Sequence, residues 1–347
     1  MPACPDDLPP LADLQDAAYV VRLPMRVRFR GLLEREVLLL HGPSGWAEFG
    51  AYVESGDDEA ARWLASAVEA GWSSWPAAVR DSVPVNATVP AVAASDVAAV
   101  LERFPGARTA KIKVAEPGQA LAEDIDRVAA TVDALGGTGA RVRVDANGGW
   151  SVAQALDSLP RLAAAAGPAT FEYAEQPCRR IEELAELRAG LARAGHRIPV
   201  AADESVRKAE DPLRVAVSGA ADVVVVKVAP LGGVRPALAV AEQLGRQHGL
   251  PVVVSSALDT SVGIGAGLAL AAALPELTFA CGLATVGLFE QDVTDDALLP
   301  TSGSIAVRRA VADPERLQRF AVPRDRESWW RARLDRAYGS LTGPGQP

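Results

Sequence analysis

Five ionisable residues recur in this chain where short apolar runs end, and their types suit proton transfer beside a metal ion. Lys111-Ile112-Lys113 closes Arg108-Thr109-Ala110, Asp145 closes 141–144, Glu175 follows 170–174, Asp203 follows 199–202, and Lys227 ends the four valines at 223–226. From Lys113 onward the steps are 32, 30, 28 and 24 residues. Three carboxylates crowded into one pocket must take up protons or hold a cation. With no histidine or cysteine beside them the ligands are all oxygen, which selects a hard ion: Mg²⁺ first, then Mn²⁺ or Ca²⁺. Each acid taken singly reads better as a strand-end residue capping the next helix; their repetition argues for the metal. Lys113 and Lys227 would flank the acids. A lysine that is partly desolvated beside another cation loses basicity and can serve as a base near neutral pH. Lys111 shares a face with Lys113 and would add to that effect, although alone it reads as a lysine snorkelling at a strand end. A metal between two lysines suits removal of a proton α to a carboxylate, whose enediolate needs electrostatic help.

A strand, a helix and the next parallel strand fill about 30 residues, so this spacing puts one charge at the same end of successive strands, where a barrel does its chemistry. Strands are predicted over 83–89, 107–114, 140–145, 170–174, 198–202, 222–227, 251–254 and 278–281. Helices are predicted between them over 94–104, 118–135, 152–165, 181–194, 211–219, 233–248 and 260–273. The fold class is therefore α/β, a (β/α)7β TIM-like barrel over 83–289. Residues 1–82 read as an α+β capping domain. In it 1–16 are irregular, strands cover 17–23, 35–41 and 45–48, a loop runs from Pro24 to Gly31, and a helix over 57–71 is capped by Asp57 or Asp58. Beyond Phe289 the pattern dissolves, and the tail 290–347 is expected to return to the capping domain through 304–311 and Trp329-Trp330. Two anion-binding stretches fall at strand ends. Gly232-Gly233 opens a helix and offers free amides, and Ser255-Ser256 offers hydroxyls; both also fit plain turn and cap chemistry. Arg143, two residues before Asp145, points into the barrel and predicts a brace for a carboxylate.

Composition bounds the partners. A chain of 347 residues with a hydrophobic fraction of 49% suits one barrel plus a smaller companion. No apolar run reaches 18 residues, so no membrane span is expected, and a net charge of −9 argues against a nucleic-acid partner. The first twenty residues lack a secretion signal. Cys4, Cys178 and Cys281 form neither a disulfide framework nor a zinc spacing, which points to a reducing cytoplasm. Gly263-Ile264-Gly265-Ala266-Gly267 has the wrong spacing for a dinucleotide fingerprint, and His41, His196 and His248 lie away from strand ends. The partner expected is a small-molecule carboxylate, bound by a monomer or homo-oligomer.

The combination Lys111-x-Lys113, Asp145-Ala146-Asn147, Glu175-Gln176-Pro177, Asp203-Glu204-Ser205 and Lys227 resembles the enolase superfamily, muconate-lactonizing-enzyme subgroup, over nearly the whole chain. The resemblance implies that Asp145, Glu175 and Asp203 bind Mg²⁺, with Mn²⁺ a possible substitute and Asn147 and Glu204 beside them. It further implies that Lys113 is the acid/base and that Lys227 faces it. Within the subgroup, Arg28–Gly31, 141–147, 227–234 and 253–263 are most similar to an actinobacterial branch that dehydrates a hydroxycyclohexadiene carboxylate in menaquinone biosynthesis. Arg143, Gly232, Gly233, Ser255 and Ser256 are then expected to bind substrate, the last four at its succinyl carboxylate. The alternatives are an N-succinylamino acid racemase, a dipeptide epimerase or cycloisomerase with the same metal and lysines, and a non-catalytic binding protein on the same barrel. Arg143/Asp145 and a Pro24–Gly31 loop lacking the apolar residues of a racemase lid favour the dehydratase.

Overall fold

The computed structural model describes residues 8–136, 139–168, 170–207 and 212–343, so Cys4 lies outside the described residues. Its first module contains α1 (Leu11–Asp16), β1 (Ala18–Phe29), β2 (Leu32–Gly42), β3 (Gly45–Phe49) and α2 (Asp57–Trp72), with the strands in antiparallel order β1-β2-β3. Three expectations are corrected here. Residues 11–16 are helical, with Leu14 buried. Residues 24–29 continue β1, because Pro24 falls at a register shift on an edge strand, where a missing N–H is tolerated. The N-cap of α2 is Gly56, and Asp57 and Asp58 lie in the first turn instead, facing the positive end of the helix dipole.

The barrel follows as β4 (Ser82–Pro84), β5 (Ala87–Val89), α3 (Val97–Leu101), β6 (Thr109–Lys113), α4 (Leu121–Leu135), β7 (Arg141–Asp145), α5 (Val152–Ala166), β8 (Phe171–Glu175) and α6 (Ile181–Arg193). It continues through β9 (Val200–Ala202), α7 (Glu204–Arg207), α8 (Arg214–Val217), β10 (Val223–Lys227), α9 (Val234–His248), β11 (Val252–Ser255) and α10 (Ser261–Ala273). Seven parallel strands, β5 to β11, curl in sequence order. All five residues of β10 are buried, as expected of a strand covered on both faces. The eighth strand forms no ladder. Single parallel bridges from Cys281 to Val85 and from Gly282 to Ser255 close the ring in its place. The predicted strand over 83–89 is split, since β4 leaves the barrel to pair with β12 (Ser304–Ala306). The single helix expected over 211–219 is replaced by α8, and 208–211 lie outside the described residues.

The tail adds α11 (Pro314–Arg319) and the 19-residue α12 (Arg324–Thr342), where no regular pattern was expected. α12 returns to the first module and seats Trp330, Leu334 and Ala337 among Leu38, Leu40, Phe49 and Leu64. Its polar anchor is Glu36, which accepts from Arg22 (2.7 Å), Arg326 (2.7 Å) and Trp330 Nε1 (3.0 Å). Partial burial would raise this carboxyl, but Arg326, Trp330 and Arg22 outweigh it and hold it at about 2, against 4.5 ordinarily. Between those values the unfolded chain binds the extra proton, so the contribution to stability is complete above 4.5 and lost as pH falls through about 2. The urea midpoint of Glu36→Gln should therefore depend less on pH than wild type across this window, and parallel curves would refute the assignment.

Candidate active site

The spacing read from the sequence becomes a ring of charge at the C-terminal ends of the strands. Lys113, Asp145 and Glu175 are register partners across β6, β7 and β8, Asp203 follows β9 directly, and Lys227 pairs with Ser255 across β10 and β11. The three carboxylates are each 1% exposed, and the lysines are almost as deeply buried. Lys113 Nζ donates to Asp145 Oδ2 (2.5 Å) and to Asn147 Oδ1 (2.5 Å). Lys111 Nζ donates to Glu175 Oε1 (2.6 Å) and lies 3.2 Å from Asp145 Oδ2. Lys227 pairs with Asp203 on the far flank. Two lysines thus stand on the Asp145 side and one opposite.

Burial and the charges of this ring act against each other. Burial lowers Lys113, and the adjacent Lys111 ammonium lowers it further, against the pull of Asp145. Burial would also lower Lys111, but Glu175, Asp145 and Asp203 outweigh it and raise it well above the ordinary value. Asp145 is held well below the usual carboxylate range because Lys113 and Lys111 overcome the burial that would raise it. Burial and the neighbouring Asp145 push Glu175 up to about 7. Strained backbone marks the same rim: Ala115 (φ 61°), Asn147 (46°), Gln176 (39°) and Leu258 (64°) follow β6, β7, β8 and β11. Such conformations persist only where the surroundings impose them, and they gather at functional sites.

The first module covers this ring. Phe29 packs its ring against Lys113 from the cover side, with Nζ 5.2 Å from the ring centre. Arg30 donates to the Tyr52 hydroxyl (2.8 Å), which itself donates to Ala257 O (2.8 Å). Beneath this cover remains a cavity of about 30 Å³, lined by the three lysines, Asp145, Asn147, Asp203, Ser255 and Ser256 among others.

Two family models match the chain, "Enolase N-terminal domain-like" over residues 20–71 and "Enolase C-terminal domain-like" over 93–311. The chain is 55% identical to the o-succinylbenzoate synthase of Mycobacterium tuberculosis over 334 residues, covering 96% of this chain and 97% of that one. To the o-succinylbenzoate synthase of Mycolicibacterium smegmatis it is 56% identical over 323 residues, 93% and 95% of the two chains. The chain belongs to the o-succinylbenzoate synthase family of the enolase superfamily. Its fold is shared with a muconate lactonizing enzyme from Pseudomonas fluorescens complexed with muconolactone (TM-score 0.71, 21% identity, 88% and 98% of the chains). It is shared also with an N-succinyl Arg/Lys racemase from Bacillus cereus (TM-score 0.69, 19% identity, 88% and 97%).

Against this enolase-superfamily geometry, several sequence expectations need correction. Arg143 does not line the chamber. It is fully buried one layer lower, bonded to Glu172 (2.6 Å), Asn86 (3.1 Å) and Ala280 O (2.8 Å), and stacked on Tyr173 and Phe279. It does brace a carboxylate, but that of Glu172, three residues before Glu175 on β8. Gly232 and Gly233 do not reach the chamber either. Their own amides are bonded to Ala229 O and Val228 O, and the next two, at the N-terminus of α9, are taken by Glu69 of α2, which accepts from Val234 N and Arg235 N. A Cβ on Gly233 would collide with that Glu69 carboxylate. Ser255 and Ser256 do line the chamber, with Ser256 Oγ donating to Gly282 O (2.8 Å). Glu204 accepts from Asn147 Nδ2 (3.2 Å). Phe29 is an apolar cover residue in the stretch expected to lack one.

Three site residues went unassigned in the sequence. Arg30 and Tyr52 sit in a hairpin tip and a turn that carry no period. Gln176, inside the recognised Glu175-Gln176-Pro177, is buried and accepts from Asp203 N (2.9 Å) and Ser205 N (3.2 Å), fixing where Asp203 leaves its strand.

Proposed function

We infer that the chain dehydrates 2-succinyl-6-hydroxy-2,4-cyclohexadiene-1-carboxylate to 2-succinylbenzoate, the o-succinylbenzoate synthase step of menaquinone biosynthesis. The observation that carries this reading is a buried lysine on each flank of three strand-end carboxylates, in a chain 55% identical to o-succinylbenzoate synthases over nearly its full length. Lys113 is the base. Burial and Lys111 bias it toward the neutral amine, and Asp145 and Asn147 aim its nitrogen. It takes the proton from the carbon bearing the ring carboxylate, and Lys227, across the chamber, faces the oxygens where the negative charge gathers. The Lys113 ammonium then gives that proton to the departing hydroxyl as the C–O bond breaks. Water leaves from the face the proton left, and the ring becomes aromatic. One lysine suffices for both transfers because both occur on the same face.

The donor set suits a hard divalent ion. Asp145, Glu175 and Asp203 offer only carboxylate oxygens from three adjacent strands, and Glu175 is pushed up to about 7 by burial and Asp145, a repulsion that a cation would relieve. Among the described residues these side chains are not drawn around one point, since each faces a lysine. Metal binding therefore exchanges lysine contacts for metal ones. Asp145, Glu175 and Asp203 would hold Mg²⁺, with Mn²⁺ as substitute, and the bound ion would supply positive charge to the substrate carboxylate and so acidify the adjacent C–H. Mg²⁺ at about 100 times its dissociation constant should stabilise the fold by about 2.7 kcal/mol. Thermal unfolding of wild type and Asp203→Asn with and without Mg²⁺ checks this; an equal gain in both would remove Asp203 from the ligand set.

Formation of 2-succinylbenzoate followed by absorbance, with and without EDTA, tests the function. Turnover that EDTA abolishes and Mg²⁺ restores is expected, and no product from folded, Mg²⁺-loaded protein would end the reading. Cys178 and Cys281 are buried free thiols, as suits a reducing cytoplasm.

A further inference from the structure

The substrate inferred above has two carboxylates, one on the ring and one at the end of the succinyl arm. The lysine ring accounts for the first. Of the groups expected to take the second, the Gly232 and Gly233 amides are bonded to Ala229 O and Val228 O and lie away from the chamber, and Ser255 and Ser256, which do line it, offer no positive charge. We propose that Arg30, at the tip of the β1–β2 hairpin, captures the arm carboxylate by exchanging its hold on Tyr52 for it as the chamber opens. This assignment rests on the dehydratase reading and names the residue that selects a dianion.

Three observations lead to it. The first is space. A cavity of about 30 Å³ has room for one water, whereas small-molecule sites occupy roughly 300 Å³ or more, so the ligand must displace part of the cover. The second is position. Outside the chamber lies an open cavity of about 560 Å³ edged by Arg179, Arg180 and Arg214, and Arg30 and Asn147 line both spaces. Arg30 is thus part of the partition that a ligand reaching from one space into the other must pass.

The third is availability. Arg180 is paired with Glu183 and Arg214 with Glu182, Arg179 lines the outer cavity but not the chamber, and the three chamber lysines each hold an acid of the ring. Arg30 makes no ion pair among the described residues. Its guanidinium lies 4.5 Å from the Tyr52 ring centre and donates to the phenol oxygen, a neutral acceptor. A carboxylate offers the same fork two charged acceptors, a stronger bond than the one given up. Tyr52 keeps its own bond to Ala257 O after the exchange, so moving the guanidinium strands no donor. Capture at Arg30 would set the arm toward the outer cavity and the ring carboxylate toward Lys113 and Lys227, leaving one orientation for the reacting carbon.

Calorimetric titration of the intact protein with Mg²⁺, using 2-succinylbenzoate and its arm monomethyl ester, tests the proposal. A charged hydrogen bond of about 1.5–3 kcal/mol corresponds to wild type binding the acid about 10- to 100-fold more tightly than the ester. In Arg30→Gln that ratio should fall to about one, with KM for substrate rising more than kcat falls, and Arg30→Lys should restore part of it. A wild-type ratio near one overturns the proposal without any variant, and so does an Arg30→Gln ratio equal to wild type. If wild type neither binds nor forms 2-succinylbenzoate, the dehydratase reading fails and the proposal falls with it. Normal wild-type turnover with an unchanged ratio in Arg30→Gln overturns the Arg30 assignment alone.

Discussion

Replacing Lys113 with methionine is expected to lower kcat for 2-succinylbenzoate formation by about two to four orders of magnitude, the range typical of a positioned acid/base. The expectation follows from placement. Lys113 Nζ reaches Asp145 and Asn147, lines the chamber, and is covered by Phe29. The same nitrogen is asked to take one proton and return it to the leaving group, so both transfers are lost together. Folding should survive, because Lys111 lies 3.2 Å from Asp145 and still compensates its charge, while the methionine chain fills similar space. Steady-state kinetics together with product titration separate the two effects: kcat collapses while 2-succinylbenzoate still binds. A variant within tenfold of wild-type kcat would move the base elsewhere, with Lys227 the next to test.

The second large effect is on stability. Trp330→Ala should cost about 3–5 kcal/mol, the usual loss for a large aromatic cut from a core. The indole is fully buried, meets Phe49 edge-on at 6.0 Å, and donates to Glu36. Removing it leaves a cavity between α12 and the antiparallel sheet together with a lost hydrogen bond. Function should weaken with it, because β1 carries Phe29 at the end of the sheet that α12 supports. Guanidinium unfolding of wild type and variant measures this directly. A loss below about 1 kcal/mol would mean that α12 is held mainly through its ion pairs.

Local chemistry explains which sequence expectations survived contact with the structure. Alternating strands and helices were legible because buried parallel strands are continuous apolar runs, as in β10, and because charges closing such runs must emerge at a strand end. Lys113, Asp145, Glu175, Asp203 and Lys227 met at one mouth for that reason. α12 was not legible. Its buried face includes Arg333, which donates to the carbonyls of Tyr52 (2.7 Å) and Ser55 (2.9 Å), so no apolar period announces the helix. The strand expected over 278–281 is reduced to two bridges, at Cys281 and Gly282, because closing the ring needs no longer ladder.

The order of the strands and the identity of the charges at their ends were therefore determined by the chain locally. What those charges face was decided only by tertiary structure. Gly232-Gly233 has the composition of an anion site, yet its helix terminus is filled by Glu69, 165 positions earlier than Val234. Arg143 shares a face with Asp145, yet it is spent one layer down on Glu172. Arg30 lies in the Arg28–Gly31 stretch that carried part of the resemblance but had no role assigned, and it gains its position from a hairpin folded over the barrel mouth. A charge buried in a fold is satisfied by whichever partner packing brings within reach, and that choice is made between segments that have no proximity along the chain.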